Sequence, residues 1–110
     1  MAAAIYSIKG LRGAWRHEAA FRQELLLAII LGPLALWIGD SLTQKALLIF
    51  CVWVVLIVEL INSAIESVVD RIGPEQHPLS GQAKDFGSAA VFISLCGAIL
   101  VWVFVIMDCL

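Results

Sequence analysis

The sequence predicts an all-α membrane protein: an N-terminal amphipathic helix lying at the lipid surface, followed by three transmembrane helices. Three observations carry this. The chain is 62% hydrophobic with a mean hydropathy of +0.98, far above the roughly 45 to 50% apolar content of an ordinary soluble domain. It holds three apolar runs, each long enough for a hydrocarbon core about 30 Å thick. Its first 24 residues instead mix apolar and basic side chains at helical spacing. The 110 residues read as one integral membrane domain, and no basic stripe with interleaved aromatics points to nucleic acid.

In the surface helix, residues 1–24, Ile5, Ile8, Leu11 and Trp15 recur on one face while Lys9, Arg12 and Arg16 take the others. That pattern suits a helix half-sunk in a lipid headgroup layer. Span one covers about residues 19–38, with Arg22, Gln23 and Glu24 at its basic end and Gly32 and Pro33 inside. Its length of about 30 Å just crosses a bilayer core. No small-x-small cleavage site follows this run and further apolar spans come later, so it reads as an uncleaved span rather than a signal peptide.

Gly39, Asp40 and Ser41 predict a tight turn. Span two follows at about residues 44–69, and the polar segment Asp70 to Asp85, with Pro74, Pro78 and Gly81, predicts the one sizeable loop. Span three, about residues 81–107, is apolar from Gly87 onward and carries Ala90, Ser94, Gly97 and Ala98 on one face, where helices could approach closely. Trp37, Trp53 and Trp102 read as interface or lipid contacts. Cys51, Cys96 and Cys109 lie far apart in apolar runs and read as packed or lipid-facing thiols, not as ligands or disulfides.

Six of the seven Lys and Arg residues, all but Lys45, fall on the side shared by the N-terminus and the second loop. By the positive-inside rule both are cytoplasmic.

The chemistry is expected in span two. Glu59, Asn62 and Glu66, with Asp70 beyond them, form one stripe within about 80° of helix surface. A carboxylate at mid-membrane costs roughly 2.5 to 3.5 kcal/mol even on a lenient scale, so intramembrane acids mark working sites. Counted from Ala46, Glu59 lies about 20 Å into the core, and Glu66 about 30 Å in, at the wet cytoplasmic edge. Plainer readings stand beside these. Asn62 could bond a neighbouring helix, Asp70 and Arg71 could mark a span end, and Lys84 and Asp85 could be interfacial anchors.

The runs EAAFRQE (18–24), VELINSAIESVVDRIG (58–73) and HPLSGQAKDFGSAAV (77–91) closely resemble the prokaryotic diacylglycerol kinase family in order, spacing and surrounding topology. The resemblance implies a homotrimer in the bacterial inner membrane, with the N-terminus and active site cytoplasmic and each site shared between subunits. Such an enzyme moves the γ-phosphoryl group of MgATP onto diacylglycerol to give phosphatidic acid. Carried over by position, Glu59 would be the general base, and Glu18 and Glu66 would hold Mg²⁺. Asn62, Tyr6, Glu75, Gln76, His77, Lys84 and Asp85 would contact nucleotide together with those two acids. Arg12, Trp15, Arg22, Gln23, Glu24 and Ser88 would line the lipid approach to Glu59. The N-terminal segment is shorter than in enterobacterial members, and nucleotide contacts made upstream there are expected to be missing.

The residues are chemically suited to those roles. Phosphoryl transfer needs positioning and neutralisation of phosphate charge. Carboxylates supply hard oxygen ligands for Mg²⁺, and a lysine supplies a compact cationic charge. A carboxylate kept from bulk water accepts a proton more readily than a solvated one. There is no GxxxxGKS loop, GxGxxG run or protein-kinase catalytic loop, which excludes the soluble kinase folds. Two rivals remain at the level of sequence: undecaprenol kinase on the same fold, and a small ion or proton transporter. Against transport, the polar residues crowd toward the cytoplasmic end, and span three has no acid between Gly87 and Asp108.

Overall fold

The computed structural model describes residues 2–73 and 77–110. It contains four helices, α1 (Ala2–His17), α2 (Ala19–Ile38), α3 (Leu42–Ile72) and α4 (Pro78–Cys109). The last three are long and apolar enough to cross a membrane.

α1 and α2 are separated by a single residue. Glu18 is extended (φ −116°, ψ 103°), which stops one helix and starts the next. The expected surface helix, residues 1–24, overlaps span one from residue 19; the break at Glu18 ends it at His17 and leaves Arg22, Gln23 and Glu24 on α2, at the start of span one as expected. Arg22 bonds back across the break to the Trp15 and Arg16 carbonyl oxygens, at 2.9 and 3.1 Å. These are among the carbonyls that the end of α1 leaves without helical partners.

The turn after α2 is tight because its hydrogen bonds are local. Gly39 N–H donates to Ala35 O, Ser41 Oγ accepts from Gln44 N–H at 3.1 Å, and Asp40 N–H donates to Gln44 Oε1 at 2.7 Å. A Cβ at Gly39 would lie 2.7 Å from Lys45 Cγ and 3.0 Å from the Lys45 backbone nitrogen, so any larger residue would have to push the start of α3 aside.

α3 has 31 residues, about 46 Å of helix, and overruns a core about 30 Å thick. Gly73 ends it at φ +146°, a conformation closed to most L-residues. The expected loop from Asp70 to Asp85 is largely helical instead. α3 continues to Ile72, and α4 begins at Pro78 because His77 Nδ1 caps Leu79 N–H at 3.0 Å and proline suits the first helical position. Lys84 and Asp85 therefore ride on a helix.

α3 is the central element, packed by α2 and, most extensively, by α4. Its less exposed residues, Leu48, Val52, Val55, Glu59, Asn62 and Glu66, recur every 3.5 positions. Gly87, Val91, Ser94, Ala98, Val101 and Val105 do so on α4. Such a repeat packs helices along a straight seam. Gln44 with Asp108, Leu48 with Trp102, and Asp70 with Lys84 set the antiparallel register. Trp102 thus differs from the interface residue expected of it: it is half-buried and donates its indole N–H to Leu48 O at 3.2 Å, the partner a tucked-in indole requires. The small-residue face of α4 divides, Ser94 and Ala98 lying on the seam while Ala90 and Gly97 are exposed.

The apolar core, centred on Ala35, Leu48 and Val105, occupies the end of the bundle away from the acids. Outward, α2, α3 and α4 present apolar side chains such as Ile30, Phe50, Ile57, Phe92 and Phe104. The three cysteines are free thiols.

Candidate active site

At the other end the seam changes character. Glu59, Asn62 and Ser63 are the buried polar residues of the chain's described part, 6 to 9% exposed. Glu59 and Asn62 continue the seam that Val55 fills with hydrocarbon one and two turns earlier and Leu48 three and four turns earlier, so the packing that makes the core also dries Glu59.

Asn62 Nδ2 donates to Glu66 Oε1, one turn on, at 3.4 Å. Asn62 Oδ1 is buried and has no hydrogen-bond partner. It lies against Gly87 of α4, where a side chain would collide with it. Glu59 experiences the negative charges of Glu66, Glu18 and Glu24. Four carboxylates from α2, α3 and the α1–α2 break therefore converge on one region, an arrangement that repels itself unless cations or protons offset it.

Two cavities open beside the α3 residues one turn either side of Glu59. The first, about 630 Å³, lies between α1 and α3 and is lined by Ser7, Gly10, Gly13, Ala14, His17, Glu18, Leu60, Ser63, Ala64 and Ser67. Gly10, Gly13 and Ala14 carry little side chain on this face of α1, which leaves the space open. The second, about 360 Å³, is an apolar groove among α2, α3 and α4, lined by Leu27, Leu31, Val55, Leu95, Trp102 and Ile106, with Glu24 in its wall. Glu24 Oε2 is buried there without a partner. Ser63 and Val55, one turn either side of Glu59, line the first and the second cavity respectively.

Lys84 Nζ pairs with Asp70 Oδ1 at 2.8 Å, with 43% of its side chain exposed, and it also feels the charge of Glu66. It stands at the mouth of the polar region. Tyr6, Arg12, Trp15, His77, Asp85 and Ser88 are exposed, while Arg22 is half-buried against the end of α1 and Gln23 is exposed on α2. The expected nucleotide contacts Glu75 and Gln76 lie outside the described residues.

The structure thus gathers Glu18, Glu24, Glu59, Asn62, Glu66 and Lys84. It adds residues that the sequence reading passed over. Ser63 and Ser67 fall one and two turns after Glu59, and Gly10, Gly13 and Ala14 form a small-residue face on α1; both were visible as helical spacing. Gly87 was not, because its role comes only from α4 meeting α3 at Asn62. Among the described residues no three His, Cys, Asp or Glu side chains form a metal cage. A cation here would take part of its ligands from a bound molecule.

Residues 5–106 match the family described as prokaryotic diacylglycerol kinase. Diacylglycerol kinase of Escherichia coli (strain K12) is 54% identical over 100 residues, covering 91% of this chain and 82% of the relative. That of Haemophilus influenzae is 53% identical, covering 88% and 82%. The Pseudomonas aeruginosa enzyme is 47% identical, covering 93% and 83%. With its three apolar helices, its buried Glu59 and these likenesses, the chain belongs to the prokaryotic diacylglycerol kinase family.

Proposed function

We propose that Glu59 is the general base of a lipid kinase that transfers the γ-phosphoryl group of MgATP to the free hydroxyl of diacylglycerol, giving phosphatidic acid and ADP. The chain is a diacylglycerol kinase, an enzyme of lipid metabolism carried on a membrane-spanning bundle. One observation carries the assignment of residues: buried Glu59 sits on α3 one turn from Ser63, which lines a cleft with hydroxyl and carboxylate groups, and one turn from Val55, which lines a dry apolar groove. A water-soluble phosphoryl donor fits the first and a lipid acceptor fits the second.

In this reading Glu59 accepts the proton of the lipid hydroxyl as its oxygen attacks phosphorus. The lipid reaches it through the groove, where the unpartnered Glu24 carboxylate offers the one polar handle, and Trp15, Arg12, Gln23 and Ser88 line the approach. The nucleotide lies under α1, against Tyr6, Glu18, Asn62 and Glu66, with His77, Lys84 and Asp85 at its phosphate and outer end.

Glu18 and Glu66 would hold Mg²⁺ together with phosphate oxygens. Their hard oxygen donors suit that ion, and the crowding of four carboxylates asks for a cation. Bound there, Mg²⁺ supplies charge neutralisation to the triphosphate. The enzyme is a homotrimer of the bacterial inner membrane whose α1 lies on the cytoplasmic surface. The exposed Ile5, Ile8 and Leu11 face of α1 and the basic bias of that side support this placement.

The test is lipid-dependent ADP release by purified protein in micelles containing diacylglycerol or undecaprenol. Faster turnover of diacylglycerol is expected; preference for undecaprenol would overturn the substrate assignment.

A further inference from the structure

Gly87 differs from most glycines of the chain. Gly10, Gly13, Gly32, Gly81 and Gly97 have open space where a Cβ would stand. At Gly87 a Cβ would collide with Asn62 Oδ1 and lie 3.2 Å from Asn62 Cγ, but 3.8 Å from Asn62 Cα, an ordinary contact. What blocks the position is the movable end of one side chain, not the backbone of α3. A methyl group added there would be accommodated by turning the Asn62 carboxamide, so the helices could keep their spacing while the amide could not keep its place.

That place has chemical content. A carboxamide has one end that accepts and one that donates two hydrogens. With Oδ1 lodged in the notch at Gly87, the NH₂ end is turned to Glu66, which takes one hydrogen at 3.4 Å. The second N–H remains for another acceptor, such as a phosphate oxygen. Reversed, the amide would present its oxygen to Glu66 and to any anion beside it, and both would repel it. The buried, unpartnered state of Oδ1 is the cost of holding this orientation.

We propose that Gly87 is a positioning residue of the kinase: its missing side chain is the notch that fixes the Asn62 carboxamide with its donor end toward Glu66 and the phosphates. This rests on Asn62 handling the phosphates.

The experiment compares Gly87→Ala, Asn62→Ala and the double variant in micelles, measuring kcat and KM for MgATP alongside thermal unfolding. Gly87→Ala is expected to lower kcat/KM by about 10- to 100-fold, as small misplacements of a reacting group do, with the unfolding temperature kept. Asn62→Ala is expected to lose a similar factor, and the double variant no more than Asn62→Ala alone, because the added methyl no longer meets a carboxamide. Full activity of Gly87→Ala, or a double variant that loses both factors in full, would overturn the proposal while leaving the Asn62 assignment standing. Full activity of Asn62→Ala would overturn that assignment and this proposal with it. If Gly87→Ala fails to fold, a folded double variant supports the notch; an unfolded one shows that the backbone sets the requirement and overturns it.

Discussion

The Arg22 guanidinium donates to the carbonyl oxygen of Trp15 at 2.9 Å, joining the first turn of α2 to the last turn of α1 across the extended Glu18. α1 forms one wall of the cleft that carries Glu18, so this bond holds a wall as well as a helix end. Arg22→Ala is expected to raise KM for MgATP about tenfold with a smaller change in kcat, since a loosened wall costs binding before chemistry. Steady-state kinetics at saturating lipid would show it. A pure rise in the KM for lipid would instead assign Arg22 to the lipid approach.

Glu59→Gln keeps the shape of the site and removes the proton acceptor. Turnover should fall by at least the factor of about 10² to 10⁴ typical of a lost general base, while MgATP still binds. Equilibrium binding beside an activity assay separates the two effects. Normal activity in this variant would remove Glu59 from the mechanism.

Lys84 pairs with Asp70 at a position open to solvent. An ion pair open to solvent is screened and adds little to stability, so neither Lys84→Ala nor Asp70→Asn should measurably alter unfolding. Their kinetic effects should diverge. Lys84→Ala is expected to raise KM for MgATP about tenfold through loss of a phosphate-facing charge, and Asp70→Asn to leave it near its original value. Equal effects from both would mean that Lys84 acts only through the pair.

Gln44 ties the far end of the bundle, donating to Asp108 Oδ2 at 2.7 Å while accepting from Asp40 N–H. Gln44→Ala should lower stability by about 1 kcal/mol, the usual worth of such a bond. kcat and both KM values should stay unchanged, because the site lies at the opposite end of α3. Urea unfolding in micelles, paired with the kinetics, checks both halves.

Much of the site was legible before any fold was known. Glu59, Asn62 and Glu66 share a helix, and helical geometry alone puts them on one stripe; hydropathy alone makes their presence in a span conspicuous. Between Asp70 and Asp85 the polar residues and prolines suggest a break longer than the one that forms. His77 and Pro78 start a helix there, a cap that composition hides. Tryptophan's preference for membrane interfaces points Trp102 outward, yet the antiparallel register sets its indole beside the Leu48 carbonyl, which accepts its N–H.

The sequence by itself determined the helices, their number and the acidic stripe, because these follow from periodicity and hydropathy within short stretches of chain. Only the tertiary structure decided which groups meet. Glu24 from α2 and Glu18 from the break before it bring their charges to Glu59, two cavities of opposite character open one turn either side of it, and Gly87 receives Asn62. Contacts between helices depend on how far each is slid and turned against its neighbour. That setting comes from the packing of all the seam residues together, so it is not encoded at any one of them.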